Sequence, residues 1–155
     1  MPLTGGCICG EVRYEIADDP LFVHACHCGD CQRFSGSAFV VLLGVEKAKL
    51  STDGMLTKVT NPTPSGSGYD AHGCPRCLTI IWNKYHFIEL PLVAVRGGTL
   101  DDPSLAPPAY HLFTRSKQPW FELPKGVKKY EGWLEPSEAW SPKTLKRLEE
   151  LELKK

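Results

Sequence analysis

Seven cysteines in three tight groups constrain this chain more than anything else in its sequence. Cys7 and Cys9 form C-x-C inside Gly6-Cys7-Ile8-Cys9-Gly10. Cys26, Cys28 and Cys31 form C-x-C-x2-C, and Cys74 and Cys77 form C-x2-C inside Gly73-Cys74-Pro75-Arg76-Cys77. Thiols two or three residues apart at a tight turn can bring both sulfurs onto one tetrahedral ion, with Zn–S near about 2.3 Å. Neighbouring glycines let the backbone turn sharply around such an ion. The start, Met1-Pro2-Leu3-Thr4-Gly5-Gly6, lacks the basic and apolar regions of an export signal. A cytoplasmic, reducing location is therefore expected, in which clustered thiols serve metal ahead of disulfides.

The simplest partition of the cysteines is four plus three. The outer pairs, more than sixty residues apart, would close a four-thiolate structural site. The middle triplet would supply three ligands and leave one position open, the mark of a working zinc. Pairing of the triplet with Cys74 or Cys77 stays open on spacing alone, as does one structural zinc with three idle thiols. A three-thiolate ion is weakly electrophilic and poorly matched to amide hydrolysis. It suits a soft ligand: a substrate thiol in the open position would be held as thiolate and could add to a small electrophile.

A length of 155 residues fits one domain. Basic and acidic residues number 18 each, and this zero balance argues against a dedicated nucleic-acid binder. No apolar stretch is long enough to span a bilayer, so a soluble protein with no membrane partner is expected. Fourteen Gly and 13 Pro favour short strands and turns over long helices. Strands are predicted at Glu11–Ile16 by alternation, at Ala38–Val45 as a continuous apolar run, and at Thr79–Trp82, Leu92–Val95 and Tyr110–Phe113. Asn61–Gly68 and Gly97–Pro103 read as turn-rich links. Ser141 and Pro142 resemble an N-cap and first helical residue, and Leu145, Leu148 and Leu151 follow on one face. The expected organisation is a zinc-binding domain over residues 1–140 and a terminal helix over 141–155 packed on it.

The residues that carry the metal signal also carry a resemblance. Gly6-Cys7-Ile8-Cys9-Gly10-Glu11-Val12-Arg13-Tyr14, Cys26-His27-Cys28-Gly29-Asp30-Cys31-Gln32-Arg33-Phe34-Ser35-Gly36-Ser37, Cys74-Pro75-Arg76-Cys77, Gly98-Thr99-Leu100-Asp101-Asp102-Pro103 and Ser116-Lys117 before Trp120 occur in that order. Over roughly the first 135 residues the chain resembles the glutathione-dependent formaldehyde-activating enzymes and the centromere protein V-like proteins. The resemblance implies a mainly β, Mss4-like β-tent of small antiparallel sheets braced by zinc. It also implies carbon–sulfur lyase chemistry, joining formaldehyde to glutathione as S-hydroxymethylglutathione. By the resemblance, Cys7, Cys9, Cys74 and Cys77 match a structural zinc, and Cys26, Cys28 and Cys31 a catalytic one, two zinc ions per chain. Two positions depart from the family pattern: Leu78 stands where Gly is usual, and Gly73 where an aromatic residue is common.

Other residues are weighed against plainer roles. Ser35-Gly36-Ser37 either offers backbone N–H groups to a ligand carboxylate or only turns the chain. Arg33, Arg76, Lys84 and Lys117 could complement the carboxylates of a glutathione-like thiol, although most surface cations serve solubility. His27 lies between two ligands, with its ring expected to point away from the metal and an idle exposed place favoured. His24, His72, His86 and His111 show no ligand spacing and default to structural roles. Trp82, Trp120, Trp133 and Trp140 read as core or interface residues. Two function classes follow: a zinc-dependent lyase for a small-molecule thiol and aldehyde, favoured by the open triplet, or a non-catalytic zinc module that binds glutathione or a protein partner.

Overall fold

A computed structural model describes residues 2–63 and 66–153. Eleven strands are described: β1 (Leu3–Gly6), β2 (Arg13–Ile16), β3 (Phe22–Cys26), β4 (Val40–Glu46), β5 (Leu50–Asp53), β6 (Thr57–Asn61), β7 (Tyr69–Gly73), β8 (Ile80–Tyr85), β9 (Leu92–Arg96), β10 (Tyr110–Leu112) and β11 (Lys128–Lys129). Helices are α1 (Gly29–Ser35), α2 (Pro136–Ala139) and α3 (Pro142–Glu152), with short 3-10 turns between strands. The protein is mainly β and built of two sheets. One is small, with order β1-β2-β5; the other has eight strands in the order β11-β10-β3-β4-β9-β8-β7-β6. β10 runs parallel to β3 and to β11, and the other pairings are antiparallel. The second sheet is thus larger than the resemblance implies.

Burial explains the two central strands. Along β4, Leu43 and Val45 face a core shared with Val12, Tyr14, Ile16 and Leu50 of the small-sheet region. Val40 and Leu42 face the other way, into a cluster with Cys26, Cys31 and Ala94. A strand covered on both faces reads as a continuous apolar run, which is why alternation is absent there. β9 follows the same rule, with Val93 and Val95 in the first core and Ala94 in the second.

Several element boundaries differ from the sequence expectation. The first alternating strand begins at Arg13, not Glu11, because the backbone of Val12 belongs to the cysteine turn: Cys7 N donates to Val12 O at 2.9 Å. β4 begins at Val40 and β8 at Ile80. β10 ends at Leu112, and Phe113 adopts a left-handed conformation at φ 55°. The expected link at 61–68 starts at the end of β6 and includes left-handed Gly66 and Gly68; Pro64 and Ser65 lie outside the described residues. The Gly97–Pro103 link contains a 3-10 turn at Gly97–Thr99 and joins the two sheets. Gly5 pairs with Leu100, Tyr14 Oη lies 2.9 Å from Thr99 Oγ1, and a Cβ on Gly5 would collide with Thr99 O.

The terminal helix is capped by Ser141, whose Oγ accepts from Thr144 N at 3.1 Å, with Pro142 in its first turn. Leu148 and Leu151 pack on Leu21 and Leu92, each burial contributing about 2 kcal/mol. Leu145 does not join that cluster, and Lys154 and Lys155 lie outside the described residues. Helices α1 and α2 add to the single helix expected from sequence. No helix among the described residues is long and apolar enough to cross a membrane.

Candidate metal centres

The seven cysteines collect into two clusters. Sulfurs of Cys7, Cys9, Cys74 and Cys77 all lie within 4.8 Å of one another, and those of Cys26, Cys28 and Cys31 form a second such group. The triplet does not recruit Cys74 or Cys77. In the quartet, Cys7 and Cys9 occupy the turn between β1 and β2, while Cys74 and Cys77 occupy the turn between β7 and β8. The cluster therefore fastens the small sheet to the large one. Sulfur separations of 3.4 Å for Cys7–Cys9 and 3.7 Å for Cys9–Cys74 are close to the roughly 3.8 Å that tetrahedral Zn–S bonds require. Val12 N donates to Cys7 Sγ at 3.2 Å, so part of the thiolate charge is met by the turn itself. Thr79 lies beside Cys77, its Oγ1 3.2 Å from Sγ, and that hydrogen bond leads in pulling the thiol down to about 5.

Leu78 marks the turn's one strained position. Its N–H donates to Cys74 O at 3.0 Å and its φ is 60°, a region where a side chain crowds the backbone. This is the position where the family pattern has glycine. Leu78→Gly is expected to raise stability by about 1 kcal/mol, read as a higher denaturant midpoint at unchanged slope; an unchanged or lower midpoint would show that side-chain contacts of Leu78 outweigh the strain.

The triplet is built by the end of β3 and the start of α1. Cys26 is the last strand residue, Cys28 is the N-cap of α1 and accepts from Cys31 N at 3.4 Å, and Cys31 sits in the helix. Cys26 and Cys31 are buried and Cys28 is half-buried. No fourth Cys, His, Asp or Glu among the described residues joins this group. Close packing makes the three thiols share protons: hydrogen bonds from Cys26 and Cys31 pull Cys28 down to about 2, while Cys28 pushes Cys26 up to about 12 and both neighbours push Cys31 further up. Three adjacent sulfurs cannot all ionise unaided, and a soft divalent cation is the partner that lets them. Both donor sets fit zinc by this chemistry.

His27 is the largest departure from the sequence expectation. Far from idle and exposed, it is fully buried, with Nε2 2.8 Å from His111 Nδ1 and its ring packed against those of Phe39 and Phe121, which also touch each other. Alternation along the extended segment explains this, since Cys26 and Cys28 point to one side and His27 to the other. Burial, then the proximity of His111, lowers His27 to about 4, so the pair is neutral and one ring donates to the other. His27 O accepts from Gln32 Nε2 at 2.7 Å and from Ser116 Oγ at 3.0 Å, which bolts α1 and the 114–116 turn to the ligand segment. Gln32 also donates to Ser116 O and accepts from Gln118.

The remaining histidines keep structural places. His24 stacks on Tyr110, His72 on Trp82 at 3.6 Å, and His86 faces Ser67 O and Asp70. Ser35-Gly36-Ser37 is the end of α1: Gly36 is its left-handed cap, Gly36 N donates to Gln32 O, and Ser37 N to Ser35 Oγ. Those N–H groups are spent on the turn and not offered to a ligand. Lys84 and Lys117 are likewise engaged, the first with Ile88 O and Leu90 O, the second with Gln118 O and Phe121 O. Arg33 and Arg76 are exposed. Trp82 is core, and Trp140 donates to Tyr110 Oη at 2.8 Å, whereas Trp120 and Trp133 are mostly exposed.

Beside the triplet lies a cavity of about 440 Å³, walled by Phe34 and Ser35 of α1, Phe39 and Val40, Leu78 and Ile80, and Arg96. Its wall draws on α1, the helix that carries Cys31, and on Leu78, the residue after Cys77. Sequence reasoning passed over Arg96 because a lone arginine at a strand end carries no motif.

Among curated proteins no relative matches the chain. A family model, described as glutathione-dependent formaldehyde-activating enzyme, matches residues 2–116 and spans both cysteine clusters. On that match, with two cysteine clusters and two sheets in place, the chain belongs to the glutathione-dependent formaldehyde-activating enzyme family.

Proposed function

We propose that this protein is a zinc-dependent carbon–sulfur lyase of the S-(hydroxymethyl)glutathione synthase type, acting on a glutathione-like thiol and a small aldehyde such as formaldehyde. Cys26, Cys28 and Cys31 hold the working zinc, and Cys7, Cys9, Cys74 and Cys77 a structural one. The observation that carries this reading is the three-sulfur cluster without a fourth side-chain donor, set beside a cavity. A zinc held by Cys26, Cys28 and Cys31 would lower the proton affinity of a substrate thiol brought to it, so that the thiol would lose its proton near neutral pH.

The chain's own residues do the positioning. His27, Gln32 and Ser116 hold the ligand segment still, and Phe34, Phe39 and Val40 give the cavity an apolar wall that limits water. The bond made joins the thiolate sulfur to the aldehyde carbon. The carbonyl electron pair moves to oxygen, which takes up one proton to replace the one lost by the thiol. Thiol and aldehyde thus give a hydroxymethyl thioether and nothing else. All seven thiols are free, which fits a reducing, cytoplasmic location.

Exchange spectroscopy by NMR tests the reading, because glutathione and formaldehyde also combine without a catalyst and only the rate can change. Zinc-loaded protein at catalytic concentration is expected to raise the interconversion rate in proportion to its amount. Binding of glutathione with no acceleration above buffer would identify a non-catalytic glutathione-binding zinc module instead.

A further inference from the structure

Arg96 is an anomaly of charge. Only 8% of its surface is exposed, its Nε has no hydrogen-bond partner, and no carboxylate of the described residues lies within ion-pair distance. Its guanidinium instead faces the Phe34 ring at 5.5 Å, a weak contact for a buried cation. Arginine stays charged in proteins, and an unpaired buried charge is among the costliest things a fold can keep. Arg147, also well covered, shows the ordinary solution: Glu46 pairs with it at 3.0 Å.

The strand register says where Arg96 points. On β9, side chains alternate, so Arg96 shares a face with Ala94, a member of the triplet's cluster. Its cross-strand partner on β4 is Leu42, which packs with Cys26 and Cys31. The side chain lines the cavity opposite Phe34 and Ser35, the residues that follow Cys31 along α1. The Phe34 ring under the guanidinium meets Tyr69 edge-on, Tyr69 packs on Tyr85, and Tyr85 packs against the triplet's cluster, so Arg96 and the triplet border one aromatic patch.

We propose that Arg96 is the receptor for a carboxylate of the thiol substrate, and that it makes the cavity selective for thiols bearing a free carboxylate. The inference rests on the lyase reading for the role of the sulfur, but the carboxylate contact needs no metal. A planar guanidinium matches a carboxylate through two parallel N–H···O bonds, and a cavity of about 440 Å³ falls in the size range of small-ligand sites. The same fork gives little to an uncharged thiol, which leaves Arg96 unpaired. Arg96 is thus the cation that the surface candidates Arg33, Arg76, Lys84 and Lys117 do not supply.

The test uses S-methylglutathione, whose sulfur has no proton to lose, and its diethyl ester, which has no charged carboxylate. Calorimetry on the zinc-loaded protein is expected to show the acid binding about tenfold or more tightly than the ester, the effect of one charge-assisted hydrogen bond. Arg96→Met should erase the difference by weakening the acid alone, and Cys28→Ser should keep it. Equal binding of acid and ester by the unmodified protein, or no binding of either, overturns the proposal, as does a folded Arg96→Met that retains the preference. The comparison on the unmodified protein decides the matter even if Arg96→Met does not fold. A preserved acid preference in a protein that fails to accelerate thiol–aldehyde exchange would refute the lyase reading and leave the carboxylate receptor standing.

Discussion

Cys77→Ser is expected to lose one of two metal equivalents per chain and to cost about 3 kcal/mol or more of stability, enough to unfold a domain of ordinary margin. The reason lies in what the quartet joins. Cys7 and Cys9 sit on the β1–β2 turn of the small sheet, Cys74 and Cys77 on the β7–β8 turn of the large one. Few other ties cross at that place, among them the Ile8 N contact to Thr79 Oγ1 at 3.4 Å. Without the ion, Cys7 and Cys74 also become crowded buried thiols with no cation to share. Elemental analysis paired with thermal melting checks this, and a Cys77→Ser protein with one metal and the melting temperature of the unmodified chain would sink the structural role of the quartet.

What could be read in the sequence follows the range of the interaction. The two clusters were legible because each ligand pair is local: C-x-C and C-x2-C place sulfurs together by turn geometry alone. Core strands β4 and β9 were legible from runs of apolar residues, since each is covered on both faces. Helix α1 was not, because it is one short segment that starts on a ligand cysteine and ends on Gly36, with only Cys31 buried. β7 escaped for a related reason: Tyr69, Ala71 and Gly73 do alternate, but two of the three inward residues are too small to register as apolar. The His27–His111 contact spans 84 positions and depends on β3 lying parallel to β10, with Ala25 opposite His111. No spacing rule foretells a parallel pairing of that separation. Arg96 escaped for the same reason, since its meaning comes from Leu42 and Phe34, residues of two other elements.

Cys28→Ser is expected to leave a folded domain that holds one metal instead of two and has lost thiol-dependent activity by at least about a hundredfold. The asymmetry with Cys77 follows from position. Cys26, Cys28 and Cys31 lie within six residues, so their ion closes only a short loop, and its loss returns little chain entropy to the unfolded state. Their segment is also held by bonds that owe nothing to sulfur: His27 N to Leu112 O at 3.0 Å, His27 O to Gln32 and Ser116, and the buried contact of His27 with His111. Cys28 is the least buried of the three, so serine there strands no polar group in the core. The backbone bonds at the quartet's turns, Cys7 N to Val12 O at 2.9 Å and Cys74 N to Thr79 O at 3.0 Å, close each turn on itself and do not tie one turn to the other. Metal content, melting temperature and glutathione exchange rate measured on one preparation separate the outcomes. A variant that keeps full exchange activity with one metal ion would remove the triplet from the chemistry, and one that unfolds with the quartet still loaded would make the triplet structural.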